Sequence, residues 1–114
     1  MIYVKVNGIL YPAKVAGRMA DKDWDNRESK CITMESDFDT VNALFHDDIV
    51  WSIVNEETIT DVEGNETAHQ TEFDNSEFSI RGDLTCHMDG TCTVKMGKPT
   101  DLEYAYEMLY GGVK

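Results

Sequence analysis

The sequence predicts an α+β domain that is mainly antiparallel β. Seven or eight strands are expected in a sandwich or partial barrel, with one short helix near 38–46 and a C-terminal helix near 101–110. Three observations carry this expectation. Apolar residues alternate with polar ones on both sides of Asn7-Gly8, a pair suited to a type I′ hairpin turn because both central positions need positive φ. A second pair of alternating runs flanks Met88-Asp89-Gly90-Thr91. Helical spacing of apolar residues marks the two short stretches. A length of 114 residues fits one domain, 1–114, around one core.

The elements follow in order. A two-residue loop at Asn7-Gly8 pairs Val6 with Ile9, Val4 with Tyr11 and Ile2 with Ala13, all on one face. Pro12 lacks an N–H and suits a sheet edge. The strand is expected to run on from Val15 to Met19, with Gly17 marking a bulge or bend. Residues 21–28 read as a loop, and Ser29 to Glu35 as a strand around Cys31, Ile32 and Met34. Ser36 with Asp39 forms a capping box, and Phe38, Val41, Leu44 and Phe45 repeat at helical spacing. Ile49 to Val54 has few polar positions and reads as a central strand, with Trp51 as a core anchor.

Residues 55–73 are polar, with weak strand character at Thr58, Ile59, Thr60 and Val62. Gly64-Asn65 closes a hairpin of 57–62 with 67–72; a flexible arm is the competing reading. Phe78, Ile80, Leu84 and Cys86 share one parity and predict a long strand. A three-residue turn with Gly90 in a G1 bulge then sets Cys92 opposite Cys86 and Val94 opposite Leu84. A two-residue loop would pair apolar with polar residues instead. Pro99, a Thr100–Glu103 capping box and Gly111-Gly112 bracket the last helix, whose stripe is Leu102, Ala105, Tyr106 and Leu109.

The chain carries 10 Lys+Arg and 22 Asp+Glu, a net charge of −12, and is 41% hydrophobic. Residues 1–20 are net +3 with no carboxylate, residues 21–80 are net −14, and residues 81–114 are net −1. The apolar fraction is too high for a disordered chain. Such acidity argues against direct nucleic-acid binding, which needs clustered Lys and Arg on the phosphates. No apolar run approaches the roughly 18 residues of a transmembrane span, so no membrane partner is expected. The N-terminus lacks a signal peptide's basic start and apolar block, so the cytoplasm is the default compartment.

Candidate chemistry is sparse. Asp21, Asp23 and Asp25 match positions 1, 3 and 5 of an EF-hand loop. However, position 6 is Asn26 rather than Gly, and position 12 is Ile32 rather than Glu. These carboxylates read as a solvated loop, where Trp24 either packs inward or meets a partner. Cys86, His87 and Cys92 have no further Cys/His pair to complete a zinc site. Cys86 and Cys92 are expected as two buried thiols, reduced in the cytoplasm and able to pair under oxidation. His46, His69 and His87 fall in three separate elements, none with a nucleophile beside it. Neither a GxGxxG nor a Walker sequence occurs. No catalytic residue, cofactor or metal is therefore expected, and the chain does not read as an enzyme. The candidate interaction surface is Asp21, Asp23, Trp24, Asp25, Asp47 and Asp48, facing a protein partner.

Several segments carry a resemblance. They are Tyr3-Val4-Lys5-Val6-Asn7-Gly8 with Tyr11-Pro12, Arg27-Glu28-Ser29-Lys30, Leu44-Phe45 and Trp51-Ser52-Ile53-Val54. Asp74-Asn75-Ser76-Glu77, Asp89-Gly90-Thr91 and Thr93 to Pro99 complete them. On these the chain resembles small uncharacterised prophage-encoded proteins of Gram-positive bacteria. The resemblance implies a phage-related context, with phage tail or virion components as partners, homo-oligomers among the assemblies, and a place in the cytoplasm or in a phage particle. The resulting expectation is a non-enzymatic structural or assembly protein acting through protein contacts. The alternative is an acidic inhibitor, or DNA mimic, of a host nucleic-acid enzyme.

Overall fold

Asn7 and Gly8 take φ of 53° and 79° and close a hairpin between β1 (Ile2–Val6) and β2 (Ile9–Pro12). The register is the expected one, with Val6 opposite Ile9 and Val4 opposite Tyr11. The computed structural model describes residues 1–100 and Glu103. Beyond Ala13 the chain does not extend the hairpin. It enters a second sheet as β3 (Lys14–Asp21), which pairs with β4 (Arg27–Met34). Gly17 sits in regular register opposite Lys30. The irregularity expected there falls instead between Arg18 and Asp21.

One helix, α1 (Phe38–Leu44), follows. Its cap is Asp37 rather than Ser36: Asp37 has extended backbone, and its Oδ1 accepts from the Thr40 N–H at 2.8 Å. Val41 and Phe45 are buried, while Phe38 is exposed at the helix start. Next come β5 (Trp51–Thr60), β6 (Glu66–Asp74), β7 (Ile80–Cys86) and β8 (Cys92–Gly97).

The eight strands form two four-stranded sheets, ordered β2-β1-β5-β6 and β3-β4-β8-β7, with every pairing antiparallel. Each sheet is thus two sequential hairpins joined along one seam, β1–β5 in the first and β4–β8 in the second. The C-terminal helix expected near 101–110 lies outside the described residues.

The last hairpin settles the choice of turn. Gly90 has φ of 89°, a left-handed conformation that a side chain disfavours, and the register sets Leu84 opposite Val94 and Cys86 opposite Cys92. The strand before it is not one continuous parity run. An extra residue between Arg81 and Leu84 puts Ile80 opposite Gly97 and Leu84 opposite Val94, hence on opposite faces. Direct opposition also explains the state of the cysteines. Cys86 and Cys92 are joined in a disulfide and Cys86 is exposed, in place of the two buried thiols expected. Cys31 is free.

The core lies between the two sheets. Val4, Val6 and Trp51 of the first sheet meet Ile32, Met34, Val94 and Met96 of the second, with Val41, Phe45 and Phe78 completing it. Trp51 meets Phe45 and Phe78 edge-on at centroid distances of 5.5 and 6.5 Å, and its indole N–H donates to the Phe78 carbonyl at 3.1 Å. Trp51→Ala is expected to cost about 3–5 kcal/mol. A urea titration of both proteins checks this, the expected result being a lower midpoint at similar slope.

Candidate functional site

The acidic loop is shorter than its sequence suggests, because Asp21 and Arg27 end paired strands and only residues 22–26 connect them. Asp21 is buried. Its Oδ2 accepts from Lys95 Nζ at 2.7 Å and from the Ser29 hydroxyl at 3.3 Å, and its Oδ1 accepts from the Asp23 N–H at 3.1 Å. The Lys95 hydrogen bond holds the Asp21 carboxyl below the usual carboxylate range, helped by Asp23 and Ser29 and opposed by burial. Asp21 is therefore not a surface carboxylate, which corrects its place in the expected interaction surface. Its oxygens are filled by the chain's own donors, so it does not act with Asp23 and Asp25 as an EF-hand ligand.

Trp24 folds back over the outer face of the second sheet. The glycines there make room for it. A Cβ on Gly97 would stand 2.7 Å from both Trp24 Cζ3 and Arg27 Cδ, and one on Gly82 would stand 2.8 Å from Trp24 Cη2. The Arg27 guanidinium lies 4.8 Å from the Trp24 ring centroid and Lys95 Nζ lies 5.9 Å from it. Trp24 thus packs half-buried on the outer face of this sheet and not in the core between the sheets.

Arg27 holds this region together, and sequence reasoning missed it. It is buried, and its guanidinium donates to the Lys98 carbonyl at 3.1 Å and to Glu103 at 2.9 Å. Glu103 makes the expected capping box, accepting from the Thr100 N–H at 2.8 Å while its own N–H donates to the Thr100 hydroxyl at 3.2 Å. The signal was present as a lone Arg between a Trp-bearing acidic loop and a strand, but nothing local gives the direction of its side chain.

The remaining surface residues divide between two places. Asp23 and Asp25 are exposed on the loop. Asp47 and Asp48 follow α1 and are exposed, yet they pin the start of β7. Asp47 Oδ1 accepts from the Arg81 N–H at 2.8 Å, and the Asp48 N–H donates to the Ser79 carbonyl at 2.8 Å. The three histidines are not brought together. His46 contacts the Asp47 carbonyl, His87 contacts the Thr93 hydroxyl, and His69 stands opposite Glu57. Among the described residues, no group of three or more His, Cys, Asp or Glu side chains is placed to hold a metal ion. No described helix is long and apolar enough to cross a membrane.

The most exposed element is the hairpin of β5 and β6. Pairing with β1 stops at Asn55, and from there to the tip the two strands are a ribbon. It belongs to a molecule 60 Å in its longest dimension. At the tip, Asp61 Oδ1 accepts from the N–H groups of Glu63 and Asn65, both at 2.9 Å. The paired strands span 51–60 and 66–74: the first starts well before the expected 57–62 and stops two residues short of its end, and the second extends the expected 67–72 at both ends. Every residue of β6 is exposed. The hairpin carries Glu56, Glu57, Asp61, Glu63, Glu66, Glu72 and Asp74, and the chain has no Lys or Arg between Lys30 and Arg81. Ile59, Val62 and Phe73 are its exposed apolar residues.

An open groove of about 890 Å³ lies where the chain passes between sheets. Its walls include Ile2, Tyr11, Pro12, Val15, Met34 and Lys14. It holds no convergent set of catalytic groups. Comparison with protein-family models, curated proteins and solved structures finds no match to the chain.

Two outcomes follow from this geometry. Gly97→Ala is expected to displace Trp24, lowering stability by about 1–3 kcal/mol and shifting tryptophan emission to the red; thermal melts and emission spectra check it. Asp21 titrates with the opposite sign to a buried base. Its folded pKa lies below the ordinary 3.8, so its contribution is fully present above that pH and is lost as pH falls through the folded value. Asp21→Asn should be less stable than the parent at pH 7, with a gap that narrows in acid, as measured by urea midpoints from pH 7 to 3.

Proposed function

We propose that this chain is a non-enzymatic structural or assembly protein of phage or prophage type, working through protein–protein contacts. Its fold is read as an eight-stranded sandwich completed by the C-terminal helix, acting in the cytoplasm or within a particle. The observation that carries the reading is the β5–β6 arm. A two-stranded ribbon is marginal in water without a third strand or a helix to pack on. An exposed strand edge is a template for pairing with another chain, and uncovered edges are a liability. Here both features occur together along residues 66–70 of β6, beyond the end of β1, and three apolar side chains are exposed on the same hairpin. The resemblance to prophage-encoded proteins supplies the biological context.

The test is to shorten the arm. Residues 57–69 are replaced by Asn-Gly, which leaves the seam with β1 intact. Tagged wild-type and short-arm proteins are then purified from phage-producing cells, and the retained proteins are identified by mass spectrometry. Tail or virion proteins should accompany the wild type and be lost at least tenfold from the short-arm protein, with thermal midpoints within a few degrees. Retention of no tail or virion protein by the wild type would overturn the proposal.

A second reading is favoured by the carboxylates of the hairpin, which carries no Lys or Arg of its own, although Lys5 of β1 pairs with Glu72 at 3.1 Å. An acidic inhibitor of a host nucleic-acid enzyme would present this surface to a basic partner. Its affinity would then fall steeply with salt. Under that reading, a nuclease or polymerase of the host replaces the virion proteins in the same purification.

A further inference from the structure

Among the described residues, four strand edges are open in the two sheets: β2, β6, β3 and β7. Two of them carry the usual protections. β2 has four residues and ends in Pro12, and β7 is bulged between Arg81 and Leu84. The other two are long. β6 runs nine residues in unbroken register with β5, and β3 runs eight residues with its first five in regular register with β4. These two edges differ in charge. β6 carries Glu66, Glu72 and Asp74 and no Lys or Arg, with Glu72 paired to Lys5 of β1 at 3.1 Å. β3 carries Lys14 and Arg18, and its single carboxylate, Asp21, is buried against Lys95. The Arg18 side chain pairs with Asp21 at 3.8 Å and is still 58% exposed, so it adds positive charge to the surface of this edge.

We propose that β6 of one copy adds to β3 of the next, so that the protein assembles head to tail. This deepens the assembly reading above and rests on it, naming a second copy of this chain as the partner. Three features single out that pairing. Like edges repel, because β6 against β6 sets carboxylates beside carboxylates, and β3 against β3 sets cations beside cations. The regular stretch of β3, five residues before its shift between Arg18 and Asp21, fits within the nine of β6. The two edges also lie on opposite flanks. β2 passes directly into β3 at Ala13, which puts those two edges on one side, and the short link 75–79 puts β6 and β7 on the other. A contact between opposite flanks cannot be two-fold symmetric. It repeats, closing into a ring or running on as a filament. Met19, 83% exposed beyond Arg18, and Phe73, 56% exposed on β6, supply apolar surface on the two edges.

Sedimentation velocity on the full chain tests this, from micromolar to millimolar concentration and at 50 and 500 mM salt. The expected result is at least a threefold rise in average mass above 12.9 kDa at 50 mM salt, and loss of most of it at 500 mM. The variants E66K/E72K and K14E/R18E should each sediment as monomers, and an equimolar mixture should recover the assembly, because each reversed edge then meets its opposite. Circular dichroism melts confirm that both variants are folded. A wild type that stays monomeric throughout, or reversed variants that assemble alone as the wild type does, would overturn the proposal. Should the wild type remain a monomer yet still retain virion proteins in the purification above, self-addition fails and the assembly reading stands.

Discussion

Trp51 is the contact on which the two sheets depend. It stands at the start of β5, opposite Val6 in the seam, and its ring fills the space between sheets. Its backbone also anchors the link from β6 to β7, with its carbonyl accepting from the Asn75 N–H at 2.9 Å and its N–H donating to the Ser76 hydroxyl at 3.2 Å. The indole N–H then reaches the Phe78 carbonyl. One residue therefore satisfies buried polar groups, anchors the helix through Phe45 and sets the path by which the chain leaves the first sheet for the second.

The outer face of the second sheet is organised differently. Trp24 packs against it, and among the described residues charged side chains order the loop there. Asp21 with Lys95 and Arg27 with Glu103 hold the short loop down, and the two glycines beneath Trp24 give the ring its seat. Buried ion pairs of this kind stabilise less than their geometry suggests, because each charge gives up its hydration. What they fix here is position. Trp24 is kept on the sheet, and the exposed carboxylates of Asp23 and Asp25 are kept beside it.

Much of this architecture was legible in the sequence. Both tight hairpins, their registers and the central place of Trp51 followed from alternation and turn chemistry, which are local rules. The capping contacts between Thr100 and Glu103 followed from the same kind of rule. The failures share one cause. The burial of Asp21 and the role of Arg27 depend on a distant residue, and the exposure of Cys86 depends on which face is covered, although its position opposite Cys92 followed from the turn. Asp21 meets Lys95 across 74 positions, and no periodicity announces that. The passage from β2 to β3 was hidden for a related reason. Val15 continues the alternation of the first hairpin, so a change of sheet leaves the pattern intact. The candidate surface was legible only as composition. Its acidity was plain, while the division between pinned carboxylates and the free arm needed coordinates.

The division of each sheet into two sequential hairpins bears on how the chain folds. The hairpins β1–β2, β3–β4, β5–β6 and β7–β8 each join neighbours in sequence, so their contacts form with little loop-closure entropy. The seams are different. Ile2 must find Asn55, and Ile32 must find Val94, across more than fifty intervening residues each. Chains whose decisive contacts are this distant fold slowly. Four fast local events thus precede two slow searches, and the rate of the whole is governed by two lines of hydrogen bonds rather than by the strands themselves.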